Sequence, residues 1–522
     1  MGIIQRQGIK DSIVAYLGAA LGAINTLFVY PAFLSQTALG LFQFLVSWAM
    51  IVSPFLLLGA PNLVVRYFPI FRDEKKGHHG FLFLMLLLPL AGFTLFCVGI
   101  LLFRKNILAW LEQEVQEPLM IEYGVYILPL ALFVTLNILF INYIKNFFRI
   151  VIPSFLDNVF VKIATGLLSF LLFTHLLDLF GFVYGILITY GLVTIGLLAY
   201  TSYLGQLHLK PDFSMLRKAA VAGISDTAAR PQGQTLRKEM AVFGFYGILG
   251  SVSGAFMSHI DKGMISLLMG SKGLEFTGIY AIVNYIGTAI DIPRKSLEKI
   301  TGPVIAQSIQ EGDWSNVQKL YIKSSIIQLI AGCLLFLGIW CNLDDLFRIM
   351  PNGAVYSPWK AVVFTLSISC LIDMVTGINS QIIAYSRHFR FNFYLAIVLA
   401  GLNIVFNYLF IKTFGLGIQG AALATLTSIA IFNIVKYIFI LWKFRLQPFT
   451  WKTLLVIGVS LFIFLFCTTL PDLGHPLLNI LFKSLAITLL YVTALLYFQV
   501  SEDFTNLVHH TLGIFKKRFG KR

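Results

Sequence analysis

The chain has 522 residues, of which 58% are hydrophobic and 12% are charged, and its formal net charge is +15 at pH 7. A soluble domain carries about 25% charged residues, so this composition excludes an ordinary soluble protein. Its apolar stretches run for about 20 residues without the alternation of a membrane β-strand, which excludes a transmembrane barrel. The sequence therefore predicts an all-α polytopic membrane protein.

About fourteen apolar stretches of spanning length follow one another along the chain. The first seven are predicted near Ser12–Tyr30, Leu39–Gly59, Phe81–Phe103, Ile121–Ile141, Ser154–Thr174, Gly181–Leu204 and Val242–Met269. The last seven are predicted near Thr277–Ile292, Ile322–Trp340, Trp359–Tyr385, Phe391–Ile411, Leu416–Trp442, Leu454–Leu470 and Leu477–Tyr497. A polar linker, residues 205–240, follows the sixth span, and a surface helix is expected in it near Phe213–Ala222. A basic amphipathic tail, residues 501–522, follows the last span and is expected to lie on anionic lipid.

Positive charges alternate between the gaps that separate these spans. Of the 39 Lys and Arg residues, 29 lie in one set of alternate gaps and at the two termini, 6 lie in the other set, and 4 lie inside spans. Positively charged loops stay in the cytoplasm, so the pattern predicts that both termini, the linker and the tail are cytoplasmic. The net charge is thus a topology signal and requires no nucleic-acid partner.

The spans before the linker resemble those after it. Gly40-Leu41-Phe42 in the second span corresponds to Gly278-Ile279-Tyr280 in the eighth. Each set has six spans, so the sequence predicts two six-helix lobes, residues 1–204 and 241–442, related by a pseudo-twofold axis along the membrane normal. Residues 443–500 supply two extra spans. Repeats of this kind build transporters whose lobes rock about a central site.

Several motifs carry a family resemblance. They are Asp261-Lys262, Gly270, Gly278-Ile279-Tyr280-Ala281, Pro303, Glu311-Gly312-Asp313 with Leu320-Tyr321, and the segment from Gly417 to Thr425. In this order, on fourteen spans, they resemble the polysaccharide-transporter (Wzx-like) branch of the multidrug/oligosaccharidyl-lipid/polysaccharide (MOP) flippase superfamily.

The resemblance implies a flippase of the bacterial inner membrane rather than an enzyme. Its substrate would be an undecaprenyl-diphosphate-linked oligosaccharide, moved from the cytoplasmic to the periplasmic leaflet for O-antigen, capsule or exopolysaccharide assembly. It also implies a V-shaped cavity between the lobes, a groove for the lipid tail at spans thirteen and fourteen, and a polysaccharide polymerase and glycosyltransferases as partners.

Charged residues inside spans are the candidate site residues, since each is costly to insert. Lys262 is expected to contact the diphosphate or sugar, with Asp261 tuning its charge; the alternative is a local ion pair that lowers the insertion cost. Asp373, with no cation next to it in the sequence, is either a carboxylate that couples transport to H⁺ or Na⁺ or a hydrogen-bonded core residue. The other in-span lysines, Lys162, Lys436 and Lys483, are expected to snorkel to the interface.

Arginines at the cytoplasmic ends of spans are the second set of candidates. Arg66, Arg149 and Arg387 are expected to attract the diphosphate, because Arg binds phosphate in a bidentate manner. The alternative is that they are positive-inside anchors. No metal or organic cofactor is expected, and the five scattered cysteines are expected to pack as apolar side chains.

Three other functions compete with this interpretation. A cation-coupled multidrug exporter of the same superfamily uses a carboxylate buried in the first lobe, and no Asp or Glu lies mid-span there. A lipid II-type flippase would carry a basic pair in the first span, which Ser12–Tyr30 lacks. A membrane polysaccharide polymerase or ligase would need a large outer loop, and the outer gaps here are short.

Overall fold

The computed structural model describes residues 3–110, 112–113, 116–211, 236–467, 469–502 and 504–505. Every regular element within these ranges is a helix. The predicted surface helix near Phe213–Ala222, most of the linker and the tail beyond residue 505 lie outside the described residues.

Fourteen helices correspond to the fourteen predicted spans and are numbered in chain order. The first seven are α1 Ile3–Ile24, α2 Gln36–Leu57, α3 Phe81–Trp110, α4 Ile127–Lys145, α5 Val161–Phe173, α6 Leu179–Tyr203 and α7 Leu236–Leu268. The last seven are α8 Gly273–Thr288, α9 Trp314–Trp340, α10 Lys360–Val375, α11 Phe389–Asn407, α12 Gly417–Phe444, α13 Trp451–Cys467 and α14 Pro476–Tyr497. Shorter helices, Ala60–Phe71, Ile292–Glu311, Leu343–Ile349 and Asn379–Tyr385, extend or connect them.

Hydrophobic length confirms the membrane assignment. Twelve helical stretches among the described residues are long and apolar enough to cross a bilayer. The other two predicted spans, α8 and α13, form helices of 16 and 17 residues. At a rise of about 1.5 Å per residue, such helices are about 25 Å long. The predicted all-α polytopic fold is therefore confirmed.

The chain packs as two compact units, Met1–Ala281 and Ile282–Arg522. The first unit includes α7 because α7 packs along α2. These units do not coincide with the predicted lobes, residues 1–204 and 241–442, so the division into lobes stays a prediction.

The two repeat-related glycines of the first unit lie against each other. A Cβ atom on Gly40 of α2 would collide with the Leu274 carbonyl of α8, and a Cβ atom on Gly278 would collide with the Gln36 carbonyl. The backbones of α2 and α8 therefore touch where they cross, as small residues allow in membrane helix pairs. This contact explains why both copies of the repeat carry glycine here.

The tenth span is broken, although a continuous helix over Trp359–Tyr385 was predicted. Helix α10 ends at Val375 and Asn379–Tyr385 follows, while Gly377 adopts a left-handed φ of +62°. The Ser325 hydroxyl donates to the freed Val375 carbonyl at 2.6 Å. A side-chain donor from a neighbouring helix thus satisfies a break that lipid would not tolerate.

A buried carboxylate holds α14 in the second unit. Asp345, in the short helix Leu343–Ile349, is 1% exposed and accepts from Lys483 Nζ at 2.7 Å and from Asn479 Nδ2 at 3.1 Å. Burial acts to raise the pKa of Asp345, but these hydrogen bonds lower it on balance below its usual value. Lys483 therefore does not snorkel as predicted; it is an internal partner.

We expect Gly40→Ala to destabilise the protein by about 1–3 kcal/mol, because its methyl group forces the α2 and α8 backbones apart. The melting temperature of the purified protein in detergent measures this effect. Gly254→Ala in α7 is the matched control, since a Cβ atom there meets nothing within 4 Å. Equal melting temperatures for the two variants would contradict the close crossing.

Candidate functional site

A pocket of about 370 Å³ lies in the first unit among α2, α4, α7 and the short helix Ala60–Phe71. Its volume is within the range of ligand pockets, roughly 300–1,000 Å³. Hydroxyl, amide and imidazole groups provide its polar lining: Ser53, Asn62, Asn142, Ser251, Ser258 and His259. The lining contains no Lys, Arg, Asp or Glu. Such a wall is suited to neutral, hydrogen-bonding ligands.

One polar atom in this pocket is unsatisfied. His259 Nδ1 is buried and has no hydrogen-bond partner among the described residues. Across the pocket, Asn62 Nδ2 donates to Ser251 Oγ at a long 3.4 Å. A buried polar atom without a partner costs free energy, and a bound ligand or water would recover it.

Lys262 lies one turn beyond Ser258 and His259 on α7 and is partly buried. Its Nζ donates to Gln43 Oε1 of α2 at 3.0 Å. The adjacent Asp261 accepts a 2.8 Å hydrogen bond from the Tyr280 hydroxyl of α8. Two of the separated motifs, Asp261-Lys262 and Gly278-Ile279-Tyr280, are thus joined by a hydrogen bond between α7 and α8.

Arg66 follows Asn62 by one turn in the middle of the same short helix. Its guanidinium is 3.7 Å from the Glu239 carboxylate and lies over the Phe243 ring, 4.3 Å from its centroid. The side chain is still 52% exposed. Arg66 is therefore tethered to the first turns of α7 while remaining open to an anion.

The other two predicted arginines are not among the residues that line this pocket. Arg149 is exposed in the loop that follows α4. Arg387 belongs to the second unit, where it lines a surface pocket of about 440 Å³ with Lys443, Trp314 and Ser386. Their predicted role in attracting phosphate stays a prediction.

Asp373 is part of a charged network in the second unit. Its carboxylate lies 3.2 Å from the Arg294 guanidinium and accepts from Asn433 Nδ2 at 3.0 Å. Arg294 also pairs with Asp291 and, at 2.7 Å, with Glu298. The cation that is missing next to Asp373 in the sequence is thus supplied from another helix.

Glu298 lies in Ile292–Glu311, outside the membrane spans. Burial raises the pKa of Glu298 above its ordinary value, although the neighbouring Arg294 opposes this shift. Glu298 therefore takes up a proton at a higher pH than an exposed glutamate would.

Lys436 extends the polar network and contradicts its predicted snorkelling. It is 1% exposed, its Nζ donates to Ser380 Oγ at 2.5 Å, and it lies 3.4 Å from the centroid of the Phe432 ring. Asn433, one turn earlier, accepts from Thr376 and Asn379, the residues that flank the break after α10. The sequence analysis named Lys436 but did not predict that it is buried beside polar partners. Its position one helical turn after Asn433 could have indicated this.

An apolar groove of about 480 Å³ lies between α13 and α14. Its walls are Gly458, Val459, Phe462, Ile463, Phe466, Leu490, Ala494 and Phe498. The groove is suited to a hydrocarbon chain, because it offers almost no polar atoms.

No protein-family model and no curated protein matches the sequence. Solved structures do match the fold. The lipid II flippase MurJ, in an inward closed conformation, superposes with a TM-score of 0.69 at 12% identity, over 94% of this chain and 100% of that chain. An inward-facing multidrug resistance MATE transporter gives 0.57 at 16% identity, over 84% and 94% of the two chains.

The chain has the MOP fold. A further MOP superfamily transporter, from Pyrococcus furiosus, gives a TM-score of 0.54 at 15% identity, over 84% of this chain and 94% of that one. At these identities the likeness shows the fold alone. The fold that the resemblance implies is therefore confirmed, whereas membership of the superfamily and of its Wzx-like branch stays a prediction.

We expect Arg294→Gln to lower the free energy of unfolding by about 3 kcal/mol, because it leaves the partly buried carboxylates of Glu298 and Asp373 without their cation. Adding Asp373→Asn to this variant should restore part of the loss. The melting temperatures of the two single variants and the double variant measure the coupling.

Lys295→Gln is the matched control for this experiment. Lys295 also pairs with Asp291, at 3.1 Å, but its side chain is 67% exposed, so its loss should cost less than about 1 kcal/mol. Equal destabilisation by Arg294→Gln and Lys295→Gln would rule out a special role for the buried network.

Proposed function

We propose that the protein is a flippase that moves a polyprenyl-diphosphate-linked oligosaccharide, with undecaprenyl as the expected lipid, from the cytoplasmic to the outer leaflet. The observation that carries the proposal is the superposition on a lipid II flippase over 100% of that chain. In the present protein, α13 and α14 line an apolar groove. On this proposal the protein is a transporter and not an enzyme, and its product feeds surface polysaccharide assembly.

The first-unit pocket supports an uncharged glycan as the head group. Sugars present hydroxyls that both donate and accept, and the pocket offers amides, hydroxyls and an imidazole without a fixed charge. Lys262, one turn away, supplies the cation that a diphosphate requires. Gln43 holds its ammonium in place, so the charge is oriented before substrate arrives.

The groove between α13 and α14 supports a lipid tail. A polyprenyl chain is too long and too apolar to enter a polar pocket, so it must stay in contact with lipid or with an apolar surface during transport. A multidrug exporter has no need of such a groove. This difference favours a lipid-linked substrate over a free drug.

A lipid II-type flippase is the second candidate, because the superposed flippase named above acts on lipid II. Lipid II shares the polyprenyl diphosphate and differs in its head group, a disaccharide that carries a peptide. A peptide with carboxylates would favour additional cations in the pocket, and the lining has none.

The network around Arg294 supports coupling to a cation gradient. Three carboxylates, those of Asp291, Glu298 and Asp373, surround one guanidinium, so protonation or cation binding at one of them would change the balance of the cluster. The raised pKa of Glu298 supports proton uptake by this cluster at a higher pH than an exposed glutamate would allow. We therefore propose H⁺ or Na⁺ as the coupling ion.

We expect Lys262→Met to slow flipping about tenfold or more, since a charge-assisted hydrogen bond contributes about 1.5 kcal/mol or more. The assay uses proteoliposomes with a fluorescent polyprenyl-diphosphate oligosaccharide and a membrane-impermeant quencher. Lys272→Met is the matched control, because Lys272 is an exposed lysine after α7.

The same assay run separately with fluorescent lipid II in place of the labelled oligosaccharide separates the two flippase candidates. Under the leading proposal the protein flips the labelled oligosaccharide and not lipid II. Flipping of lipid II alone would favour the second candidate, and flipping of neither lipid would defeat both. Equal rates for Lys262→Met and Lys272→Met would remove Lys262 from the site.

We expect Asp373→Asn to make the flipping rate independent of an imposed proton or sodium gradient, because it removes one charge from the coupling cluster. Asp344→Asn is the control, because Asp344 is an exposed aspartate in the outer gap before α10. This variant should keep the dependence of the flipping rate on the gradient. The melting temperature of each variant identifies misfolding. A folded Asp373→Asn protein with unchanged gradient dependence would contradict the role of Asp373.

A further inference from the structure

Two of the five cysteines meet at the ends of neighbouring helices. Cys341 directly follows α9, and Cys467 is the last residue of α13. Both helices occupy odd-numbered spans, so the distribution of Lys and Arg predicts that both end on the side away from the cytoplasm.

Stacked aromatic rings hold these two helix ends together. Phe464 of α13 stacks with Phe336 and with Trp340 of α9, its ring centroid lying 6.1 Å from that of Phe336 and 6.5 Å from that of Trp340. Cys341 directly follows Trp340, Cys467 lies one turn after Phe464, and the two thiols are in hydrogen-bonding contact. The sequence analysis predicted only apolar packing for the cysteines and did not predict the contact between these two.

One of the two thiols is accessible to a reagent. Cys341 is partly exposed, whereas Cys467 is 7% exposed, so a reagent reaches the pair through Cys341. The Lys483 ammonium of α14, which also pairs with Asp345, interacts electrostatically with both sulfurs.

We propose that Cys341 and Cys467 form a disulfide that joins α9 to α13 outside the cytoplasm, where disulfides persist. The oxidant is the disulfide of a thiol oxidoreductase. The Cys341 thiolate attacks it to give a mixed disulfide and release one thiol, and the Cys467 thiolate then displaces the second. The two cysteines lose two electrons and two protons, and the oxidoreductase disulfide gains them as two thiols.

The bond would fix one wall of the apolar groove. Helix α13 contributes Phe462, Ile463 and Phe466 to that groove, and these residues immediately precede Cys467. A covalent link to α9 would hold this wall in place while α14 is held independently through Lys483 and Asp345. The inference stands apart from the proposed substrate.

The test uses the full-length protein, purified from its native type of membrane after free thiols are blocked with N-ethylmaleimide. Chymotryptic cleavage after Trp340 separates Cys333 from Cys341 for mass spectrometry. We expect a linked Cys341–Cys467 peptide that a reductant abolishes, and a lower melting temperature for the reduced protein.

Two variants make the assignment specific. Cys341→Ser should convert Cys467 into a maleimide-labelled thiol, whereas Cys97→Ser should leave the linked peptide unchanged. Maleimide on both Cys341 and Cys467 in the protein as isolated would overturn the proposal. This first measurement requires no substitution, so misfolding of a variant cannot hide the answer.

Discussion

The hydrocarbon core of a bilayer contains no water to bind a polar side chain, and this constraint organises the interior of the protein. Charged side chains within its spans lie beside partners on other helices. Lys262 reaches Gln43, Asp373 reaches Arg294, and Lys483 reaches Asp345. Each pair therefore also fixes how two helices are rotated against each other.

The same constraint governs the backbone. Helices α2 and α8 approach until Gly40 and Gly278 bring their peptide groups into contact, which bulkier residues would prevent. Helix α10 ends within its span, and Ser325 and Asn433 supply hydrogen bonds at the break. Broken helices at membrane depth are tolerated where they are enclosed by protein, and in transporters they accompany binding sites. The break beside Asp373 thus adds weight to a functional role for that network.

The two compact units carry different chemistry. The first has a pocket of neutral hydrogen-bonding groups beside one ordered lysine, which is the arrangement that a glycan joined to a diphosphate requires. The second has a cluster of three carboxylates and an arginine, and an apolar groove between its last two helices. Under the proposed function, recognition of sugar, response to a cation and accommodation of a lipid would fall to separate sets of residues, which can be tested separately.

Sequence by itself determined the fold class and the number of spans and singled out Asp261 and Lys262, because hydropathy and charge act locally along the chain. It listed Asp261 and Tyr280 in separate motifs, and only the structure shows the hydrogen bond that joins them. Tertiary structure alone decided the partners. Arg294 is 79 positions from Asp373, Lys436 is buried instead of snorkelling, and Cys341 meets Cys467 from a distant helix. These contacts depend on how helices rotate and cross, and a one-dimensional pattern of apolar residues does not specify that rotation within a uniformly apolar span.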